Sequence, residues 1–289
     1  MEIFVIVQIT LTRDELFLIK EMLPQWQKYA DAFVFMVDRS TDGTYEFLME
    51  NKEKYNILNV LRTEWDNADL AVETDERQRL YDEAYKHSEK IICLDTDEYF
   101  DGVIGKEQLE IILEEHKNSL FMAPWIQYTD TNTTRVDGPW RMNYKDRIGS
   151  YAKKGQFIKR VRHSEHMPAS DNVYSFQFPQ LFIAHLQWLD KATVGIKQYY
   201  WKISDYVDNQ EHGADAEIIP AILYDQSVNN FDWEYTDIEF PLKVDKNVYK
   251  KQDLENSYKY QYIKEAIKKY NIPNMNDWGL GIHSGLMFK

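Results

Sequence analysis

The chain has a single cysteine, Cys93, in 289 residues. No internal disulfide can form, which excludes a disulfide-stapled scaffold and suits a reducing compartment. Glycine is scarce at 11 residues and proline at 8. The segment after the first apolar run, Thr10-Leu11-Thr12-Arg13, has no glycine at all, which counts against a glycine-rich loop cradling phosphate there. No apolar stretch approaches the ~20 residues that span a bilayer. Met1-Glu2-Ile3-Phe4-Val5 enters an apolar run without a basic n-region, so no secretory signal is expected. The expected location is the cytoplasm, with any work at a membrane face done through a partner. Basic residues are in deficit, 34 Lys and Arg against 48 Asp and Glu, a formal charge of -14. That argues against general binding to nucleic acid or anionic membranes. It also sets a condition on any phosphate ligand: a cation or a local arginine must offset the repulsion.

Hydrophobic residues at 44% and charged residues at 28% are ordinary for a soluble globular chain. The length suits one large α/β domain, or one domain with a helical appendage. Aromatics are plentiful, with 20 Tyr and 8 Trp. Such rings pack on sugar faces as well as in cores.

The most informative segment is Ile91-Ile92-Cys93-Leu94-Asp95-Thr96-Asp97-Glu98. Four apolar residues without polar alternation read as a strand buried on both faces, as in a parallel sheet with helices on either side. In such sheets ligands bind beyond the carboxyl ends of the strands. Asp95 and Asp97 are thereby delivered to that edge, and carboxylates there suit a hard divalent cation, which in turn suits a bound phosphate. Cys93 reads as a small core residue.

Strands are expected at Ile3 to Ile9, Ala32 to Val37, Ile57 to Leu61 and the Ile91 run. Helices are expected to follow Thr12-Arg13-Asp14-Glu15, a capping box with a helix starting near Arg13, then near Tyr45 to Asn51 and Glu73 to His87. Pro24 should kink or end the first helix. This β-α-β-α-β-α-β order predicts parallel pairing with right-handed crossovers. Further on, helices are expected over Glu107 to His116, Lys191 to Tyr206 and Asp253 to Tyr270. Extended segments are expected over Leu120 to Tyr128, Phe157 to Val161 and Phe176 to Leu186, and a loop over Thr129 to Ser150.

Taken together these residues resemble the GT-A glycosyltransferases, especially the family 2 type. Thr10-Leu11-Thr12-Arg13-Asp14-Glu15 is similar to the family's first loop, with Asp14-Glu15 where Asn-Glu is usual. Asp38-Arg39-Ser40-Thr41-Asp42-Gly43-Thr44 resembles the family's Asp-x-Ser-x-Asp-x-Thr turn. Arg77 sits on the helix before the fourth strand, like the family's arginine helix. Leu94-Asp95-Thr96-Asp97-Glu98 resembles the DxD segment. Phe182-Ile183-Ala184-His185-Leu186 is similar to the late histidine strand, followed by a helix with basic residues. The resemblance covers about residues 1 to 205.

It implies an α/β fold of GT-A (Rossmann-like) type, a mostly parallel sheet flanked by helices with a mainly helical C-terminal extension. Residues 1–205 would form the glycosyltransferase domain, with 1–100 the nucleotide-binding half and 101–205 the acceptor half; residues 206–289 would be an extension packed on it. The implied activity is metal-dependent, inverting transfer of a hexosyl or deoxyhexosyl group. The donor would be a nucleotide-diphosphate sugar, with uridine the expected nucleoside, and the acceptor a saccharide or glycoconjugate. Asp97 would ligate Mn²⁺ or Mg²⁺ and Asp95 would meet the ribose, or the metal through water. His185 would be a further ligand; mixed carboxylate and imidazole ligation tilts such a site toward Mn²⁺. Alternatively, Asp95 and Asp97 form a solvated turn and helix cap, and His185 is a hydrogen-bonded core residue.

Thr10 belongs to the expected nucleotide-binding loop. Asp38 can accept a hydrogen bond from a base N–H, or form the turn, while Asp42 caps the next helix. Arg77 can pair with a diphosphate or with Asp95. The implied general base is a carboxylate, and the dense titratable segment Arg160 to Pro168 nominates Glu165, with Asp130, Asp137 and Asp171 as competitors. The same segment also admits a metal patch of His163, His166 and His185. Trp125, Tyr128, Trp140 and Tyr144, with Trp188 and Trp201 from the late helix, are candidates for stacking on an acceptor sugar or for packing. The rival readings are a sugar nucleotidyltransferase and a non-catalytic carbohydrate-binding protein with a decayed site.

Overall fold

The computed structural model describes residues 6–64, 72–141, 143–158, 165–169, 173–212 and 234–271. Its first half alternates strand and helix: β1 Ile6–Thr12, α1 Leu16–Trp26, β2 Ala32–Asp38, α2 Thr44–Glu50, α3 Lys52–Tyr55, β3 Ile57–Thr63, α4 Val72–Tyr85 and β4 Lys90–Cys93. Then come β5 Glu98–Gly102, α5 Lys106–Glu115, β6 Ser119–Tyr128, β7 Thr133–Arg135, β8 Asn143–Ser150, β9 Tyr174–Gln177 and β10 Leu181–His185. The last described elements are α6 Lys191–His212, β11 Tyr235–Asp237 and α7 Tyr258–Tyr270.

This is an α/β chain with a central parallel sheet flanked by helices. β1 pairs in parallel with β2 and β4, and β2 with β3, giving the order β3-β2-β1-β4. The alternation of β2 explains why both its faces are apolar. Phe33, Phe35 and Val37 face the layer holding α1 and α5, while Ala32, Val34 and Met36 face Leu80, Tyr81 and Ala84 of α4. Burying each such side chain is worth about 1.5–3 kcal/mol, so the two layers fix the strand order.

Beyond β4 the sheet is mixed. β8 runs antiparallel to β4 and to β6. β10 lies between β5, antiparallel, and β6, parallel. The expectation of a loop over Thr129 to Ser150 is therefore corrected: β7 and β8 occupy it. β8 misled because only its second half, Arg147 to Ser150, is buried, and β7 because its buried residues, Thr134 and Arg135, are polar.

Other boundaries move for local reasons. β1 extends to Thr12 rather than ending at Ile9, because its pairing with β2 continues to Val37. α1 starts at Leu16, not Arg13; Asp14 takes a left-handed φ of 51°, and Asp42 Oδ2 accepts the Leu16 N–H at 2.8 Å. Pro24 lies within α1, which continues to Trp26. The expected segment Phe176 to Leu186 is two strands, β9 and β10. Of Phe157 to Val161 only Phe157 and Ile158 are described, and neither is in a strand. The boundary expected after residue 205 falls inside α6. α6 and α7 pack through Tyr199, Ile203, Tyr260 and Ile263, and β11 pairs with β7, so the segment after residue 233 returns to the sheet. No described helix is long and apolar enough to cross a membrane.

Candidate functional site

A cleft of about 180 Å³ opens at the carboxyl ends of β1, β2 and β4, lined by Thr12, Arg13, Asp38, Arg77, Asp95 and Asp97 from the sheet side. Lys197, Tyr200 and Trp201 of α6, with Tyr258 and Lys259 of α7, form the facing wall. Parallel strands all present their carboxyl ends to one edge, so residues scattered along the first hundred positions meet there.

The sheet register brings the acidic tip and the late histidine together. On β10, His185 stands opposite Glu98 of β5 and beside Gln127 of β6, and the Leu186 N–H donates to the Asp97 carbonyl at 2.9 Å. His185 Nε2 then lies 3.4 Å from Asp97 Oδ2. Lys197 Nζ approaches the same oxygen at 3.2 Å. Burial would raise the Asp97 carboxyl, but its neighbours, Lys197 foremost, outweigh it and hold it below the usual carboxylate range. Lys197 stays charged: burial would lower it, and Asp97, the nearest anion, raises it further.

Asp95 is held by a different set. Its Oδ2 is 3.1 Å from His166 Nε2, and Arg77 and Arg147 approach it at 3.8 Å. Burial is outweighed by these partners, so Asp95 is held well below the usual range. His166 itself is pushed down by burial and by Arg147, against the pull of Asp95. Arg77 is further fixed by Glu73 Oε1 at 2.8 Å. Glu98, next in line, turns inward: it is fully buried, with Arg147 Nε and Nη2 at 2.8 and 2.9 Å and the Trp125 indole N–H at 2.8 Å.

At the β2 end of the cleft, Asp38 is buried and accepts from Arg39 Nε at 2.8 Å, Arg39 Nη2 at 3.0 Å and Arg13 Nη1 at 3.2 Å. Three of the roughly four acceptor positions of a carboxylate are thus taken. The Arg13 guanidinium lies 4.1 Å over the Tyr258 ring. Glu15 accepts from the Thr96 hydroxyl, and Lys259 Nζ lies 3.6 Å from it; burial raises the Glu15 carboxyl despite Lys259. The cleft thus carries Arg13, Arg77, Lys197 and Lys259, local cations of the kind that an acidic chain needs to hold an anion.

Asp38, Asp95, Asp97, Arg77 and His185 accordingly converge on this edge. Thr10 does not. It lies two residues short of the end of β1, buried, its hydroxyl accepting from Gln8 Nε2 at 3.2 Å; Thr12 and Arg13 take the place expected for it. Glu165 is half-buried and electrostatically close to Tyr151, and does not line the cleft. Its neighbour His166 does reach Asp95. Asp130 pairs with Lys246 at 2.8 Å, and Asp137 is clamped by Arg135 at 2.7 and 2.6 Å. Asp171 and His163 lie outside the described residues. Among the described residues no three His, Cys, Asp or Glu side chains form a closed metal-holding group; His166 sits on Asp95 rather than beside His185.

Of the aromatic candidates, Tyr128 and Trp188 are core residues, and Tyr128 donates to the Phe240 carbonyl at 2.8 Å. Trp125 stacks on His185 at 4.4 Å and meets Trp140 at 5.6 Å. Cys93 is inert: burial pushes its thiol up to about 12. Sequence reasoning missed Lys197, Tyr258, Lys259, Arg147 and Gln127. Gln127 had a signal, a lone amide in an otherwise apolar strand; the α7 residues had none, being far along the chain from the sheet tips they meet.

No family model matches the sequence and no curated protein is significantly similar to it. Among solved structures the chain is similar to residues 1–349 of S. aureus TarS, at 15% identity, covering 92% of this chain and 80% of that chain with a TM-score of 0.43. A TarS 1–349 structure in complex with UDP is similar at 16% identity, covering 78% and 70% with a TM-score of 0.38. Against a longer TarS chain the identity is 12%, the TM-score 0.41 and the coverage 77% of this chain; this chain spans 47%, under half, of that one.

Proposed function

We propose that the protein is a metal-dependent, inverting glycosyltransferase of GT-A type. It takes a nucleotide-diphosphate sugar, with uridine the favoured nucleoside, and transfers the sugar to a saccharide or glycoconjugate hydroxyl. The observation that carries the reading is the approach of buried His185 Nε2 to Asp97 Oδ2, 3.4 Å apart, where Asp97 lines a cleft that also presents four cationic side chains.

The donor chemistry fits a divalent cation. His185 Nδ1 faces Gln127 Oε1 at 2.5 Å, so in the neutral ring the proton belongs there and the Nε2 lone pair would be turned toward a carboxylate oxygen. Lys197 Nζ, 3.2 Å from the same Asp97 oxygen, already sets one positive centre beside the pair, and a bound divalent cation would set another. Asp97 and His185 would hold Mn²⁺ or Mg²⁺, with phosphate oxygens and water as the remaining ligands, as small hard cations prefer. When bound, the ion supplies Lewis-acid stabilisation of the charge developing on the leaving diphosphate. Lys197, now 3.2 Å from Asp97, and Lys259 sit where they can share in that stabilisation. Arg77 and Arg147 hold Asp95 ionised for a ribose hydroxyl. Asp38 keeps one acceptor position for a base N–H, beside the platform of Tyr258 and Arg13. Glu165, adjacent to the anchored His166, is the proposed general base for the acceptor hydroxyl.

Calorimetry with UDP, with and without Mn²⁺, tests this. Wild type should bind UDP more tightly with Mn²⁺, and Asp97→Ala should lose that dependence and sugar transfer while keeping its far-UV spectrum. Full transfer by Asp97→Ala, or by wild type in excess chelator, rejects the metal reading. UDP binding indifferent to Mn²⁺, without turnover of any nucleotide sugar, points instead to a non-catalytic binding protein.

A further inference from the structure

Gln127 is fully buried in β6, in a strand otherwise built of apolar and small residues at that depth. A buried amide is costly unless its groups are bonded, and here both its oxygen and its nitrogen have a partner. Its Oε1 receives the Trp188 indole N–H at 2.9 Å and faces His185 Nδ1 at 2.5 Å. Its Nε2 points to the Trp125 carbonyl at 3.5 Å. The indole nitrogen can only donate, so the atom it meets must be the amide oxygen. That settles the orientation of the amide, and in a neutral ring the single proton belongs on Nδ1, 2.5 Å from an acceptor, rather than on Nε2, 3.4 Å from Asp97. Trp125, stacked on the imidazole at 4.4 Å and 27°, prevents the ring from turning over.

We propose that Gln127, locked by Trp188, is a positioning residue that holds the His185 ring as its Nδ1–H tautomer, with the Nε2 lone pair presented toward Asp97. Its use to the enzyme rests on the reading that Asp97 and His185 share a cation. Outer partners of this kind set ring orientation and basicity in metal sites. Without Gln127, the ring is free to place its single proton on Nε2 and donate to Asp97, and the lone pair then faces away.

The test uses the intact protein labelled with ¹⁵N-histidine. The His185 ring signals are assigned by their loss in His185→Asn and read at a pH where the ring is neutral. Wild type should show the Nδ1–H pattern. Gln127→Leu should shift the ring toward Nε2–H and weaken Mn²⁺ binding in the presence of UDP by roughly 10- to 100-fold, the range found for such outer partners. Gln127→Glu restores an acceptor and should restore both. Wild-type His185 found as Nε2–H or as an imidazolium overturns the proposal, whatever the variants do. So does an unchanged tautomer in a folded Gln127→Leu. If the tautomer follows residue 127 as stated but no variant, wild type included, binds Mn²⁺, the positioning role stands and the metal reading falls.

Discussion

At the scale of the residue, four consecutive positions have been sent to four environments. Asp95 faces guanidinium groups, the Thr96 hydroxyl caps Glu15, Asp97 meets an imidazole and an ammonium, and Glu98 is sealed inside with Arg147. The Glu98–Arg147 pair is the most consequential for stability, because a buried charge without its partner is costly. Glu98→Ala should lower unfolding free energy by about 3–5 kcal/mol, the usual cost of stranding one member of such a pair. Urea denaturation will show it, and a loss under about 1 kcal/mol, the ceiling for exposed pairs, would mean that solvent reaches Arg147. Asp97 predicts a pH effect. Its folded value lies below the ~3.9 of an unfolded aspartate, so its pairing stabilises the fold above that value and the contribution disappears as pH falls through the folded value. Between pH 6 and pH 3 wild type should therefore lose more stability than Asp97→Asn, and their urea midpoints should converge in acid. Parallel curves would contradict this. The carboxylates and His185 were legible because chain order carries them. Gln127 and Arg147 were not, because their roles come from lateral register between strands, which no local pattern reports.

At the scale of the element, the turn after β2 fixes two helices at once. Asp42 Oδ2 accepts the Leu16 N–H at 2.8 Å and its Oδ1 accepts the Thr44 N–H at 3.0 Å. Each is a helix-start donor with no partner inside its own helix. Asp42→Ala should cost about 1–2 kcal/mol, read as a lowered denaturation midpoint. Because α1 follows the Arg13 loop, UDP affinity should also fall; unchanged values for both would show that water replaces the cap. The capping role of Asp42 was legible from its place before Gly43-Thr44, yet its second client, α1, was not, since that contact spans two loops. The same limit explains β8: a strand half in water has too few apolar positions to betray itself, and only pairing with β4 and β6 reveals it.

At the scale of the whole molecule, the cleft interleaves the cations Arg13, Arg77, Lys197 and Lys259 with the carboxylates Glu15, Asp38, Glu73, Asp95 and Asp97. Two of them, Lys197 and Lys259, come from helices that a boundary at residue 205 would divide, and the wall they form exists only because α6 and α7 pack together. Lys259→Ala should weaken UDP binding roughly tenfold, since a hydrogen bond to a charged group is worth about 1.5–3 kcal/mol and each 1.4 kcal/mol is a factor of ten. Calorimetry at fixed ionic strength measures it. No change would place the lysine outside the anion's reach and confine its work to Glu15.

The contact between Lys259 and Glu15 joins opposite ends of the described chain. Contacts so distant in sequence form late, after the loop-closure entropy between them has been overcome. During translation the parallel strands can therefore assemble while α7 is still inside the ribosome. A nascent or prematurely terminated chain would carry Glu15 without Lys259, and the cleft would gain its full facing wall only after α7 emerges.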